Sequence, residues 1–209
     1  MKPLVIAVVG PSCSGKSTVS KWLASVVKDA VHIELDDFFI DMNKRYIFNH
    51  GFKDLDRPSN LKWNDLRTVL HRLKQGKSAR VPHYSKHLGR RDRYRHVTPK
   101  KVIIVEGYLL LYRKFIQDFC DYKVFLNISE KVQYERREAT YHSPPAYVRE
   151  VVIPIFRKYG IPERNICDVV VDSSKPLHKV EWKVYDILEK KFPWIIELKR
   201  KRKQATRNK

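Results

Sequence analysis

The sequence has few cysteines, no long apolar run and few acidic residues for its number of basic ones. Its 209 residues include three cysteines, Cys13, Cys120 and Cys167, an odd number without C-x-x-C spacing. This pattern indicates reduced thiols rather than a disulfide framework or a structural zinc site. No apolar run approaches the roughly 20 residues needed to cross a bilayer. The apolar stretch after Met1 is also too short for a signal peptide, so we expect a cytoplasmic or nuclear protein without a membrane segment.

The shortage of acidic residues leaves a large positive charge. The chain has 43 Lys and Arg against 23 Asp and Glu, a formal net charge of +20. Residues 80–101 contain eight basic residues and one acid, and residues 199–209 contain seven basic residues and no acid. Such blocks can bind nucleic acid, but they are also typical of a solvated tail and of a phosphate-facing surface. We interpret residues 199–209 as a disordered basic tail that can bind nucleic acid or another polyanion weakly.

The apolar residues are sufficient for one folded domain and follow an alternating pattern. Hydrophobic residues make up 43% of the chain and aromatic residues 11%. Short apolar runs predict strands over residues 4–9, 31–35, 102–105, 123–128 and 168–172. Helical spacing predicts helices over residues 17–28, 63–74, 110–119, 130–139, 147–159 and 178–190. This alternation predicts an α/β fold, with a parallel sheet flanked by helices on both faces and ligands at the carboxyl ends of its strands.

A glycine-rich motif lies between the first predicted strand and the first helix. The residues Gly10-Pro-Ser-Cys-Ser-Gly15-Lys16-Ser17 match G-x-x-x-x-G-K-[ST], the P-loop motif, in the required context. Its backbone N–H groups and the helix N-terminus can hold the phosphates of ATP, while Lys16 contacts the β- and γ-phosphates and Ser17 ligates Mg²⁺. The predicted nucleotide-binding residues are Gly10, Ser12, Cys13, Ser14, Gly15, Lys16, Ser17 and Thr18, and Lys16 is also a candidate catalytic residue.

Carboxylates follow two other predicted strands. Asp36 and Asp37 come after the second strand, and Glu106 follows the strand that begins at Val102. A carboxylate beside the P-loop can take the proton of an acceptor hydroxyl, and a second can help to hold Mg²⁺. Paired acids at a strand end are also common as helix caps or solvated turns, and the P-loop motif is what favours the chemical interpretation.

Four motifs in this order and spacing resemble the uridine kinase and nicotinamide riboside kinase family of P-loop kinases. They are G-P-S-C-S-G-K-S at 10–17, D-D-F-F at 36–39, L-D-R-P at 55–58 and V-E-G-Y at 105–108, and the resemblance covers about residues 4–188. It implies that Asp36 is the base for a nucleoside 5′-hydroxyl and that Asp56 holds the ribose 2′- and 3′-hydroxyls. It also implies that Glu106 lies near Mg²⁺ in place of a Walker B acid, with Asp37 in a supporting metal role. Taken alone, Asp56 is more typical of a turn residue before Pro58 than of a substrate-binding residue.

The resemblance also implies a domain over residues 1–198 with two appended parts. One is a substrate-binding insert at about residues 80–101, and the other is a lid at about residues 130–146. The lid arginines Arg136 and Arg137 would close over the phosphates and stabilise the charge of the transferring group. On a polar helix the same arginines could also be a solvated face.

The insert and the lid indicate different substrates. The insert, Val81-Pro-His-Tyr-Ser-Lys-His87, resembles the segment with which uridine kinases hold a pyrimidine, which would make Tyr84 and His87 substrate-binding residues. It departs from that pattern at Ser85, where the family has Asp, and His87 falls two places early. The lid and the helix after it resemble nicotinamide riboside kinases, although Leu55 replaces the aromatic residue usual there.

The predicted function is transfer of the ATP γ-phosphoryl group to the 5′-hydroxyl of a ribonucleoside. Uridine or cytidine is favoured over nicotinamide riboside, which remains the alternative. A nucleic-acid-associated P-loop NTPase is a more distant alternative, because Tyr84 and Tyr94 lie among basic residues as in a single-strand-binding surface. The presence of Lys16, Ser17 and Asp36 argues against an inactive binding module.

Overall fold

The computed structural model describes residues 2–42 and 48–195, and the basic tail lies outside the described residues. The strands are β1 (Leu4–Val9), β2 (Ala30–Glu34), β3 (Phe48–Asn49), β4 (Phe52–Lys53), β5 (Ala79–Ser85), β6 (Arg90–Val97), β7 (Val102–Gly107), β8 (Tyr122–Asn127) and β9 (Val169–Asp172). The main sheet has the order β2-β7-β1-β8-β9, and all of its paired strands are parallel. The five strands predicted from apolar runs are these five, with ends shifted by at most two residues.

The helices connect the sheet strands in the predicted order. They are α1 (Lys16–Val26), α2 (Trp63–Lys74), α3 (Lys114–Phe119), α4 (Glu130–Tyr141), α5 (residues 145–164) and α6 (Leu177–Lys191). Short 3-10 turns lie at Leu35–Phe38, Pro58–Asn60, Leu110–Tyr112 and Pro193–Ile195. The helix predicted over residues 110–119 is therefore a 3-10 turn followed by a short α-helix, with an extended residue, Arg113, between them.

Helix α5 is longer and less regular than the sequence predicts. It includes the predicted segment 147–159 and contains two π-helical turns, Val148–Val152 and Phe156–Gly160. Each π turn is followed by a short α-helical piece that contains a proline, Pro154 or Pro162. Proline has no N–H to donate, so a regular ladder of i to i−4 hydrogen bonds cannot run through these positions.

The core consists of one apolar layer on each face of the main sheet. Every residue of β1 is buried, and its side chains alternate between the two layers, with Ile6 on one face and Val5 on the other. Helices α1 and α6 cover the first face, and α2 and α3 cover the second. A strand buried on both faces reads as a continuous apolar run, which is why β1 is easy to locate in the sequence.

The chain reverses its winding direction between β1 and β7. From β1 the chain passes through α1 to the edge strand β2, whereas from β7 it passes through α3 to β8 on the other side of β1. The two connections cover opposite faces of the sheet, so they leave a crevice between the carboxyl ends of β1 and β7. The P-loop follows β1, and Glu106 is at the end of β7, so both lie at this crevice.

Two antiparallel hairpins stand outside the main sheet. Strands β5 and β6 pair from Ala79 with Val97 to Ser85 with Arg90, with a register shift between His83 and Tyr84. This is the segment interpreted from the sequence as a substrate-binding insert, and its polar residues are mostly exposed on β6. The pairing of β3 with β4 was not expected from the sequence. Within the described ranges, none of the helices has the length and apolar character needed to cross a membrane.

Candidate active site

The P-loop backbone is fixed by a close approach that glycine alone permits. Gly10 has a φ of 144°, and a Cβ atom there would lie 2.3 Å from the carbonyl oxygen of Leu126 in β8. The loop then delivers Lys16 to the first turn of α1, where its side chain is buried and its Nζ donates to the Pro11 carbonyl at 2.8 Å. Burial lowers the pKa of Lys16, although Glu106 and Asp36 act in the opposite direction. A cation that is bonded only within its own loop is ready to exchange that partner for a phosphate oxygen.

Ser17 and Glu106 form a pair of oxygen donors beside Lys16. The Ser17 hydroxyl donates to Glu106 Oε1 at 2.6 Å, and Glu106 is only 4% exposed. Burial raises the pKa of Glu106 to about 7, although the Lys16 ammonium lowers it. A hydroxyl and a carboxylate are the hard oxygen ligands that Mg²⁺ prefers, and a buried carboxylate of raised pKa gains from a nearby divalent charge. The donor set therefore fits the magnesium role predicted for these two residues.

Two further polar side chains of β2 lie behind Glu106. One ligand-type atom from each of His32, Glu34 and Glu106 lies within 4.8 Å of the others. Burial lowers the pKa of His32 to about 4, so this imidazole is neutral. Glu34 forms an ion pair with Lys21 of α1. Despite this ion pair, the negative charge of Glu34 contributes to the raised pKa of Glu106.

Asp36 lies in the 3-10 turn after β2 and faces the insert hairpin. Its Oδ2 is 3.0 Å from Lys86 Nζ, and this contact raises the pKa of Lys86. Both residues line the same cleft as Lys16. Because the lysine stays charged, it holds the Asp36 carboxylate at the cleft wall and leaves Oδ1 for another partner.

Asp56 is held in place by a small network of buried groups. Its backbone N–H donates to Asp54 Oδ1 at 3.2 Å, and its Oδ2 accepts a hydrogen bond of 2.7 Å from the Tyr147 hydroxyl. Asp54 is fully buried and also accepts from Arg57 Nε. Burial raises the pKa of Asp56, while Arg137 and the Tyr147 hydrogen bond lower it. Asp56 is therefore a rigid carboxylate with one oxygen committed to the protein.

The two lid arginines connect α4 to the P-loop. Arg136 donates to the Cys13 carbonyl at 3.3 Å and to the Ser174 carbonyl at 3.2 Å. Arg137 donates to Ser12 Oγ at 2.7 Å, and its guanidinium lies 4.0 Å from Asp56 Oδ2. Arginines on a solvated helix face would not reach the phosphate-binding loop. The placement favours the phosphate role for both of them.

These residues enclose one cleft of about 690 Å³. Its phosphate end is formed by the P-loop and by Arg136, and its opposite end by Asp36, Asp56 and the lid. Thr18 also lines it, whereas Gly10 and Ser14 support the loop from behind. The remaining lining side chains are Phe39, Met42, Leu55, Tyr84, Lys86, Glu106, Tyr108, Arg137, Thr140, Tyr141, His142, Ser143, Pro144 and Tyr147. The cleft therefore has a cationic end suited to phosphates and an acidic, aromatic end suited to a polar ring compound.

Two predicted site residues are not where their roles require them. The Asp37 carboxylate is buried behind the cleft wall, where Oδ1 accepts the Tyr84 backbone N–H at 3.2 Å, and it is absent from the cleft lining. It anchors the insert hairpin instead of facing the metal site beside Ser17. His87 is exposed in the turn that follows β5 and does not line the cleft, whereas its neighbour Lys86 in the same turn does. Tyr84 does line the cleft, with its ring 5.6 Å from that of Phe39.

Sequence reasoning missed several residues of the acceptor end. Lys86 was overlooked because the sequence offers a histidine, a more usual base contact, at the next position. Asp54 lies two residues before Asp56, and the spacing D-x-D was a signal that could have found it. Tyr147 is 91 residues away from Asp56 in the chain, and no local pattern connects the two.

Comparisons with known proteins identify the family to which this chain is similar. Residues 5–139 match the model of the phosphoribulokinase / uridine kinase family. The chain is 25% identical over 214 residues to a "probable uridine-cytidine kinase" of Caenorhabditis elegans, covering 93% of this chain and 86% of the relative. It is 29% identical over 185 residues to a uridine kinase of Streptococcus agalactiae, covering 83% and 88% of the two chains.

A solved structure supports the fold assignment. The structure of a "possible uridine kinase" from Bacillus stearothermophilus superposes with a TM-score of 0.52 at 23% identity, covering 82% of this chain and 90% of the other. Together with the matched P-loop, the parallel sheet and the acceptor-side carboxylates, this means that the chain is a phosphotransferase with an alcohol acceptor and belongs to the phosphoribulokinase / uridine kinase family.

Proposed function

We propose that this protein transfers the γ-phosphoryl group of ATP to the 5′-hydroxyl of a ribonucleoside, with uridine or cytidine as the favoured substrate. The observation that carries the proposal is the arrangement of Asp36 and Asp56 in the same cleft as Lys16. Asp36 is the candidate base, and Asp56 is the candidate partner of a sugar diol. A second, rigidly held carboxylate at this end suits an acceptor that carries two neighbouring hydroxyls, as a ribose does.

The chain's own residues can perform each part of the transfer. Lys16 and the P-loop N–H groups bind the phosphates, and Arg136 and Arg137 add positive charge where the equatorial oxygens of the transferring group carry negative charge. Asp36 accepts the proton of the attacking hydroxyl. Ser17 and Glu106 would hold Mg²⁺, which supplies further charge neutralisation to the β- and γ-phosphates when bound.

The lid supports a neutral pyrimidine over a cationic nicotinamide. Tyr141 and Tyr147 are the aromatic lid residues in the cleft, and the Arg137 guanidinium already lies 5.6 Å and 5.5 Å from their ring centroids. A second cation at those rings would be repelled by Arg137 and by Lys86. Leu55 also lines the cleft at the position where an aromatic residue would be needed to stack a nicotinamide ring.

Nicotinamide riboside stays the second candidate because of the composition of the lid. Two lid residues that resemble those of nicotinamide riboside kinases, Tyr141 and Pro144, line the cleft. Asp36 and Asp56 also provide negative charge that could balance a pyridinium ring. The two candidates share the sugar and the reaction and differ only in the base that is bound.

A radiolabelled-ATP screen tests the proposal. Uridine, cytidine, nicotinamide riboside and purine ribonucleosides are supplied separately, with 5′-deoxyuridine as the substrate control that lacks the acceptor hydroxyl and Lys16→Ala as the enzyme control. We expect a 5′-monophosphate from uridine or cytidine and no product from either control. ATP hydrolysis that depends on RNA or DNA, without any labelled nucleotide product, would instead support a nucleic-acid-associated NTPase.

A further inference from the structure

Tyr108 occupies a position in the cleft to which the phosphoryl transfer assigns no role. It follows β7 directly, and Gly107 fixes its direction, because a Cβ atom at Gly107 would lie 2.5 Å from Leu35 Cβ. The tight packing of Gly107 against the 3-10 turn Leu35–Phe38 leaves the Tyr108 ring in the core layer and its side chain among those that line the cleft. Tyr108 is 9% exposed.

The Tyr108 hydroxyl is buried without a hydrogen-bond partner in the part of the chain that the structure describes. A buried hydroxyl that makes no hydrogen bond destabilises the protein relative to one that does. Phenylalanine would fill the same space without this cost. Because Tyr108 lines the substrate cleft, its unpaired hydroxyl is best explained by a hydrogen bond to a group of the bound ligand.

Tyr108 lines the same cleft as Asp36 and Asp56. Burial, followed by the carboxylates of Asp56 and Asp36, raises the pKa of Tyr108 well above its ordinary value. The phenol consequently keeps its proton at neutral pH and can donate a hydrogen bond as well as accept one. The residues that act on it most strongly are the two carboxylates to which the sugar and the 5′-hydroxyl are assigned.

Asp56 leaves room for a second sugar contact. Its Oδ2 accepts the hydrogen bond from Tyr147, so Oδ1 is the oxygen open to a substrate hydroxyl. A carboxylate can only accept hydrogen bonds, whereas each ribose hydroxyl can accept one as well as donate one, so Asp56 alone leaves the acceptor sites of the diol unfilled. A neighbouring phenol would provide the second contact.

We propose that Tyr108 binds the acceptor substrate directly, through a hydrogen bond between its hydroxyl and one of the two ribose hydroxyls, and so contributes to selection of ribonucleosides over deoxynucleosides. This inference rests on the proposed ribonucleoside kinase function. It adds a specificity residue to that function, next to Asp56 and on a different element of the fold.

The test combines the variant Tyr108→Phe with substrates that lack one hydroxyl. KM and kcat are measured for the accepted ribonucleoside and for its 2′-deoxy and 3′-deoxy analogues, in wild type and variant. We expect Tyr108→Phe to raise the ribonucleoside KM about 3- to 10-fold, the loss of one hydrogen bond, with the KM for ATP unchanged. Wild type should use the deoxy analogues with a lower kcat/KM than the ribonucleoside. For one of the two analogues, this loss of kcat/KM should nearly disappear in Tyr108→Phe, because both changes remove the same contact.

A matched control and a stability measurement separate this role from a structural one. Tyr112→Phe removes a hydroxyl from a tyrosine that packs on Trp63 and Tyr159 outside the cleft, and it should leave all kinetic constants unchanged. Tyr108→Phe should keep or raise the melting temperature. A clear fall in melting temperature would show that the hydroxyl has a partner in the protein, and the proposal would be wrong.

The outcomes distinguish this inference from the function on which it rests. If wild type phosphorylates a ribonucleoside and both deoxy penalties are the same in Tyr108→Phe, the role of Tyr108 is refuted and the kinase function stands. If wild type phosphorylates no ribonucleoside, both the function and the inference are refuted.

Discussion

The two ends of the cleft are built in different ways. The phosphate end comes from nine consecutive residues, 10–18, together with Glu106 on the neighbouring strand and the two lid arginines. The acceptor end brings together short segments around Asp36, Asp56, Tyr84, Tyr108 and Tyr147, which belong to five separate parts of the chain. A local loop has a geometry that its own glycines and helix dictate, whereas an assembled wall depends on the packing of every element behind it. Substrate choice can therefore change with little effect on nucleotide binding.

The largest expected effect is at the phosphate end. Lys16→Ala should reduce kcat/KM by about 10²- to 10³-fold, because it removes a cation aimed at the transferring phosphoryl group. The melting temperature should not fall, since a buried ammonium is removed along with its desolvation cost. Lys114→Ala, which removes a lysine paired with Asp118 on the exposed side of α3, is the control and should behave as wild type. Turnover near the wild-type rate in Lys16→Ala would contradict the P-loop role.

Substitution of the neighbouring acids Asp36 and Asp37 should distinguish the catalytic base from a residue that only supports the site. Asp36→Asn should lower kcat by about 10²-fold with little change in nucleotide affinity, because the base is lost and the phosphate contacts remain. Asp37→Asn keeps an oxygen that can accept from the Tyr84 N–H, so it should mainly raise the acceptor KM, by a few-fold at most. Steady-state kinetics of both variants show which of the two carboxylates acts as the base. A larger loss of kcat in Asp37→Asn would require the two roles to be exchanged.

Asp56 should affect the acceptor alone. Asp56→Ala should raise the nucleoside KM by about 10-fold and reduce discrimination against 2′-deoxynucleosides, since the carboxylate that penalises a missing hydroxyl is gone. Asp54→Ala is the comparison, because Asp54 supports the turn through Arg57 and the Asp56 N–H and should lower the melting temperature. Competition between uridine and deoxyuridine measures the discrimination. Equal use of both sugars by wild type would show that Asp56 does not select the diol.

Glu106 should make stability depend on pH in a defined window. Its pKa is about 7 in the folded protein, above the ordinary value of 4.5, so the folded state holds a proton more tightly than the unfolded state. Stability from this group is therefore highest below about pH 4.5 and falls as the pH rises to about 7. Glu106→Gln should remove this pH-dependent contribution to the free energy of unfolding, which is on the order of 1–3 kcal/mol. The difference in melting temperature between pH 5 and pH 8 should therefore be smaller in Glu106→Gln than in wild type, by a few degrees.

The Glu106 experiment compares the melting temperature of the variant with that of wild type at each pH. Melting curves are recorded without nucleotide or Mg²⁺, for wild type and Glu106→Gln across the pH range. Asp37, Asp56 and Glu163 are also buried acids of raised pKa, so wild-type stability has other contributions of the same sign. Only the difference between the two proteins reports on Glu106. Parallel pH profiles would show that Glu106 has an ordinary pKa in the folded state.

The smallest expected effect concerns the basic tail. Deletion of residues 199–209 should change kcat/KM by less than about twofold, because disordered terminal segments can usually be removed without altering a folded core. It should abolish retention on a polyanion column at low salt, since each lost cation lowers the number of counterions released on binding. A large loss of kinase activity would instead connect the tail to the phosphate end of the cleft.

The difference between the two ends of the cleft also explains which features of the fold and of the site the sequence predicted. The five sheet strands were predicted because parallel strands buried on both faces leave continuous apolar runs, and the P-loop was predicted because its chemistry needs consecutive residues. The roles expected of Asp37 and His87 depended on which way one side chain points. The 3-10 turn after β2 sets the direction of Asp37, and the turn after β5 sets the direction of His87. No local pattern carries that information.

The sequence by itself determined the layered α/β fold, the phosphate-binding loop, and the identities of Lys16, Ser17, Asp36, Asp56 and Glu106 as the residues of interest. The fold and the loop follow from spacing within short segments, where the local backbone dictates the outcome, whereas Asp56 was identified only through the resemblance of the L-D-R-P motif to the kinase family. The tertiary structure alone decided that Lys86 pairs with Asp36, that Tyr147 takes one oxygen of Asp56, and that the Tyr108 hydroxyl is buried without a partner among the described residues. Such contacts join residues that are tens of positions apart, and they exist only once the sheet, the hairpin and the lid have packed together.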